Sequence, residues 1–171
     1  MRRHLLFLTV LTAALSVADL SACGDKFLRA GRSARTKGYA AVYPASILIY
    51  KPTATPKGLK EFETLLKKAG HRPVALTDVS ALTEAVSSAK YDLVIADYSD
   101  RALVKEHFRA VSAEPGFLPI LHNPTKAQEA EVAKQFPHLL KPEKMTKYDA
   151  LDEIDHVMES RRKLMTAVQA R

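Results

Sequence analysis

Short apolar runs alternate with stretches of helical periodicity along residues 46–165, and this alternation restricts the fold more than any other feature of the chain. The runs are Ser46-Ile47-Leu48-Ile49-Tyr50, His71-Arg72-Pro73-Val74-Ala75-Leu76, Tyr91-Asp92-Leu93-Val94-Ile95-Ala96-Asp97, Phe117-Leu118-Pro119-Ile120-Leu121-His122 and the brief His138-Leu139-Leu140. Near-continuous apolar segments of this length suit strands covered on both faces. Strands separated by helices pair in parallel through right-handed crossovers. The expected fold is therefore α/β: a doubly wound five-stranded parallel sheet, order 2-1-3-4-5, with helices on both faces.

The helices carry their own punctuation. Thr55 caps the first, Pro56 opens it, and Leu59, Phe62, Leu65 and Leu66 recur at helical spacing until Gly70 ends it. Asp78 or Ser80 caps the second, which carries Leu82, Ala85 and Val86. The third is expected from about Arg101 to Ala113, the fourth after Thr125, and the last from about Lys147 to Met165, with Leu151, Ile154, Val157 and Met158 on one face. The third run ends in an acid, Asp97. In an open parallel sheet that position lies at the carboxyl edge, where ligands bind.

The 171 residues allow one hydrophobic core plus an extra segment, and 47% apolar with 26% charged residues is ordinary for a globular chain. The single cysteine excludes an intrachain disulfide. The net charge of +7 and pI near 9.5 raise nucleic acid or an anionic membrane as partners.

The first residues bear on that choice. Arg2 and Arg3 precede an apolar run from Leu5 to Val17, which has signal-peptide length and falls short of the roughly 20 residues of a membrane span. Leu20-Ser21-Ala22-Cys23 resembles the bacterial lipobox, and the lone cysteine occupies the position that is acylated. The expected organisation is a signal peptide at 1–22, Cys23 as lipid-attachment residue on a basic tether through 45, a domain at 46–165 and a tail at 166–171. The tether carries Lys26, Arg29, Arg32, Arg35 and Lys37 and reads as a solvated spacer, although Tyr39-Ala40-Ala41-Val42-Tyr43 has the composition to pack onto the domain. Membrane lipid through Cys23 is the expected partner, in the cell envelope facing the periplasm; a cytoplasmic location is the alternative. Export disfavours nucleic acid.

In the domain, Tyr91-Asp92-Leu93-Val94-Ile95-Ala96-Asp97, Leu140-Lys141-Pro142 and the run from Lys144 to Arg162 together resemble the receiver domain of bacterial response regulators over about 120 residues. The resemblance implies the flavodoxin-like fold and makes Asp97 the equivalent of the phosphoacceptor and Lys141 the equivalent of the lysine after strand five. Receivers hold magnesium with an acidic pair at the end of strand one, because an acceptor carboxylate and an incoming phosphoryl group repel each other. Here those positions are Lys51 and Pro52. The loop after Asp97 reads Tyr98-Ser99-Asp100-Arg101, and His122-Asn123-Pro124-Thr125 offers a hydroxyl only with a shift in register.

These departures imply a degenerate receiver that is not an enzyme, with no metal and no cofactor. Asp97 is expected to pair with Lys51, Lys141 or both, which would lower its pKa. His71, His107, His122, His138 and His156 show no metal-ligand spacing. The expected role is a protein-interaction module that docks a partner, or a second copy of itself, through residues 125–165. The alternatives are a phosphorelay receiver modified at Asp97, and a small-anion binder at the edge formed by Lys51, Asp97 and Lys141.

Overall fold

The computed structural model describes residues 39–109 and 114–169. Cys23 and the rest of residues 1–38 lie outside them. Strands β1 (Ser46–Tyr50), β2 (Arg72–Leu76), β3 (Leu93–Asp97) and β4 (Gly116–Ile120) form one parallel sheet in the order β2-β1-β3-β4. They alternate with helices α1 (Pro56–Ala69), α2 (Val79–Ser88), α3 (Arg101–Phe108), α4 (Lys126–Ala133) and α5 (Lys147–Gln169).

The sheet differs from expectation at its far edge. The fifth strand is reduced to one parallel bridge, Ile120 with Leu140, made by Leu121 N–H to Leu140 O and Leu140 N–H to Pro119 O, both 2.8 Å. Pro137 and Pro142 bracket the segment, and neither has an N–H to extend a ladder. The third helix is also shorter than expected, ending at Phe108 rather than Ala113, and residues 110–113 lie outside the described residues. The last helix runs four residues longer than expected, to Gln169.

Strand alternation sorts the core into two layers. Ile47, Ile49, Leu93 and Ile95 face α1 and α5, meeting Leu66, Leu151 and Ile154. Leu48, Tyr50, Val94 and Ala96 face α2 and α3, meeting Leu82, Val104 and Phe108. The central strands are thus covered on both faces, as their unbroken apolar runs require, while edge strand β2 leaves Arg72 and Val74 exposed.

The expected caps form. Thr55 Oγ accepts from Gly58 N–H at 3.2 Å, Asp78 from Ala81 N–H at 2.9 Å, and Thr125 closes a reciprocal capping box with Gln128. Gly70, at φ 98°, ends α1 in the left-handed region that costs a residue with a Cβ.

Residues 39–45, the end of the expected tether, are docked. Ala41 N–H reaches Ala69 O at 2.7 Å, and Arg72 N–H reaches Ala45 O at 2.9 Å. Tyr39 OH donates to Asp155 Oδ2 at 2.5 Å, and the backbone N–H groups of Val42 and Tyr43 point at the same carboxylate. Asp155 lies on α5 at only 1% exposure, so this strap supplies the donors that a buried carboxylate requires.

His71 is the opposite case. It is buried at the start of the second strand segment, and among the described residues neither ring nitrogen has a hydrogen-bond partner. Burial holds its pKa below the ordinary histidine value, partly opposed by the Asp155 charge. The unfolded chain binds this proton near pH 6.5, and the folded chain binds it only at lower pH. Stability is therefore fully present above about pH 6.5 and is lost as pH falls below it, by at most about 1.4 kcal/mol per pH unit. Urea unfolding near pH 7.5 and pH 5.5 should show this loss, and His71→Leu should flatten the slope. An unchanged slope in that variant would place the sensitivity elsewhere.

Candidate functional site

The carboxyl ends of β1 and β3 lie side by side, with Tyr50 opposite Ala96. The next residue on each strand therefore projects at the same edge: Lys51 after β1, and Asp97 closing β3. Lys51 Nζ stands 2.7 Å from Asp97 Oδ1 and 3.0 Å from Oδ2, contacting both oxygens. The two side chains are only 19% and 14% exposed, so solvent screens this pair less than a surface one.

His122 extends the pair into a chain. Its Nε2 lies 2.8 Å from Lys51 Nζ and 3.3 Å from Asp97 Oδ1, while Nδ1 lies 2.7 Å from Glu143 Oε1. An ammonium only donates. In the neutral ring this geometry selects the tautomer in which Nδ1–H donates to Glu143 and Nε2 accepts from Lys51. The His122 contact holds the Glu143 carboxyl below its usual range, helped by N–H groups that include that of Asn123. Asn123 sits at φ 42°, a left-handed conformation that asparagine tolerates better than most residues. Asp100 completes the edge. Desolvation and the nearby Asp97 charge raise its pKa, and Lys51 partly offsets them.

Of the sequence-derived candidates, Lys51 and Asp97 come together and Lys141 does not join them. Lys141 Nζ is bonded to Glu129 Oε1 of α4 at 2.5 Å, and this bond holds the Glu129 carboxyl below its usual range. Of the two lysines expected at Asp97, one or both, Lys51 is the one that pairs with it. Lys141 follows the bridge at Leu140 beyond β4, where Glu129 offers a carboxylate close at hand. Thr125 caps α4 rather than facing Asp97.

His122 was missed as a site residue, although its place at the end of the fourth apolar run, two residues beyond β4, puts it at the same edge. Glu143, one residue beyond Lys141-Pro142, carries no pattern that marks it. Two of the histidines that looked scattered, His138 and His156, are neighbours and share Glu153. His138, Glu153 and His156 each present a ligand atom within 4.8 Å of the others. The Glu153-x-x-His156 spacing on α5 was the readable part of that signal.

Beside the edge, Lys51 and Lys141 both line a cavity of about 390 Å³ whose walls include Ile49, Leu59, Phe62 and Met145. Among the described residues, no helix is long and apolar enough to cross a membrane. The arrangement at Asp97 can hold a fixed positive charge against a carboxylate. A divalent ion at that carboxylate would stand next to the Lys51 ammonium, whose repulsion opposes it. Comparison with protein-family models and with curated proteins finds no match to this chain.

Proposed function

We propose that this chain is a non-catalytic, receiver-like interaction module, held in a single charge state by Lys51 and carried on the cell envelope by a lipid at Cys23. The observation that carries the reading is the contact of Lys51 Nζ with both Asp97 oxygens at the sheet edge. In a receiver, a dissociable divalent cation and a transferable phosphoryl group make that edge a switch. A covalently tethered ammonium neutralises the carboxylate permanently, so the edge has no unloaded state to return to. The partner face is then α4, the segment leading into α5, and α5, within residues 125–165. Tyr148, Leu164 and Met165 of α5 are large apolar side chains at 49%, 68% and 59% exposure, which supports a docking role for that helix.

Incubation of the purified chain with acetyl phosphate and magnesium should leave its mass unchanged. A stable adduct of about 80 Da, lost on Asp97→Asn, would instead establish a phosphorylatable receiver. Anion binding is the second reading, favoured by the cavity that Lys51 and Lys141 share. It is weaker because each lysine already has a carboxylate partner, which an incoming anion would have to displace.

A further inference from the structure

We infer that His138, Glu153 and His156 form a binding site for a borderline divalent transition ion of the zinc class. The three residues lie away from the Lys51–Asp97 edge. His138 lies in the segment before the bridge at Leu140, and Glu153 and His156 lie three residues apart on α5, a spacing that places both on one helix face. The three candidate ligand atoms lie within 4.8 Å of one another, and all three residues are half-buried. His138 Nδ1 already contacts Glu153 Oε2 at 2.9 Å.

The His138 and His156 centroids are 5.6 Å apart, with the planes inclined by 13°. Two imidazoles bound to one tetrahedral ion, with Zn–N of about 2.0–2.1 Å, have centroids roughly 5 Å apart. An ion lies in the plane of each ring that binds it, so these near-parallel rings share one ion only after at least one side chain rotates about its χ torsions.

Two imidazole nitrogens and one carboxylate oxygen suit zinc, copper(II) or nickel(II) rather than magnesium or calcium, which prefer oxygen alone. Three protein ligands leave a fourth position for water or for a group from a partner. The ion would tie the segment before Leu140 to α5, inside the 125–165 face proposed for docking, but the site stands on its own ligands and does not depend on that role.

Calorimetric titration of the untagged full chain with zinc near neutral pH tests the site. The expected result is one ion per chain, with a dissociation constant in the micromolar range or below. Cobalt(II) should give the strong visible bands of a tetrahedral site with nitrogen and oxygen ligands. His156→Ala and Glu153→Gln should each weaken binding by about tenfold or more, and His138→Ala with His156→Ala should abolish it. The inference is overturned if the wild-type chain gives neither heat nor visible bands. It is overturned equally if either Glu153→Gln or the double variant, folded by circular dichroism, binds zinc as wild type does.

Discussion

Replacing Asp155 by alanine is expected to lower the unfolding free energy by about 3 kcal/mol, because the carboxylate is the common acceptor for the strap at 39–45. Three donors converge on it: the Tyr39 hydroxyl and the N–H groups of Val42 and Tyr43. With the acceptor gone, the strap must either leave those donors unpaired against α5 or detach and expose Tyr39 and Tyr43, which pack on the core layer facing α1 and α5. Hydrogen bonds to a charged group contribute about 1.5–3 kcal/mol each, but the strap is only half-buried and water can recover part of the loss. Asp155→Asn keeps one acceptor oxygen and should cost less, and Tyr39→Phe should cost about 1 kcal/mol. Urea unfolding followed by far-UV circular dichroism measures all three. A loss below about 1 kcal/mol for Asp155→Ala would remove the strap from the folded core.

The same contact has an alkaline signature. Burial and the Asp155 charge raise the Tyr39 pKa above the ordinary tyrosine value, so the folded chain keeps a proton that the unfolded chain releases near pH 10. This contribution is present below about pH 10 and is lost as pH rises further.

The second large effect concerns the sheet edge. Lys51→Met is expected to destabilise the fold by about 1–2 kcal/mol, because the Asp97 carboxylate, 14% exposed, loses its counter-charge while Asp100 stays nearby. Lys51→Asp should cost more in metal-free buffer, since it sets two carboxylates at the contact that Lys51 now makes. Magnesium should then recover that loss in the Lys51→Asp variant and leave the wild-type chain unchanged. At ten times the dissociation constant the ion adds about 1.4 kcal/mol, or roughly 3–6 °C in the unfolding midpoint for a domain of this size. Thermal unfolding with and without magnesium provides the comparison. An equal magnesium shift in the wild-type chain would mean that Lys51 does not occupy the cation position, and the proposed locked state would fall with it.

Much of the architecture was readable because its signals are local. Thr55, Asp78 and Thr125 each cap a helix through the N–H group three residues on, and Gly70 ends α1 by its own backbone freedom. The apolar runs that became the central strands β1 and β3 are buried by their own composition, whereas edge strand β2 leaves Arg72 and Val74 exposed. The fifth run failed because its neighbours Pro137 and Pro142 outweighed two leucines, a competition that composition suggests but hydrogen-bond partners decide.

The site was half-readable for the same reason. Asp97 at the end of an apolar run and Lys51 at the end of another could be placed at one sheet edge from the strand order, although 46 residues separate them. Lys141 could not be assigned, because whether its ammonium reaches Asp97 or Glu129 depends on where the segment after Leu140 leaves the sheet. The burial of Asp155 depends on a tyrosine 116 residues away, and His138 meets Glu153 across the turn into α5. The sequence by itself determined the α/β alternation, the helix starts capped by Thr55, Asp78 and Thr125, and the arrival of Lys51 and Asp97 at strand ends, since these follow from short-range chemistry. Only the tertiary structure decided which charges meet, because ion pairs and ligand clusters depend on ångström-scale placement of side chains from distant elements.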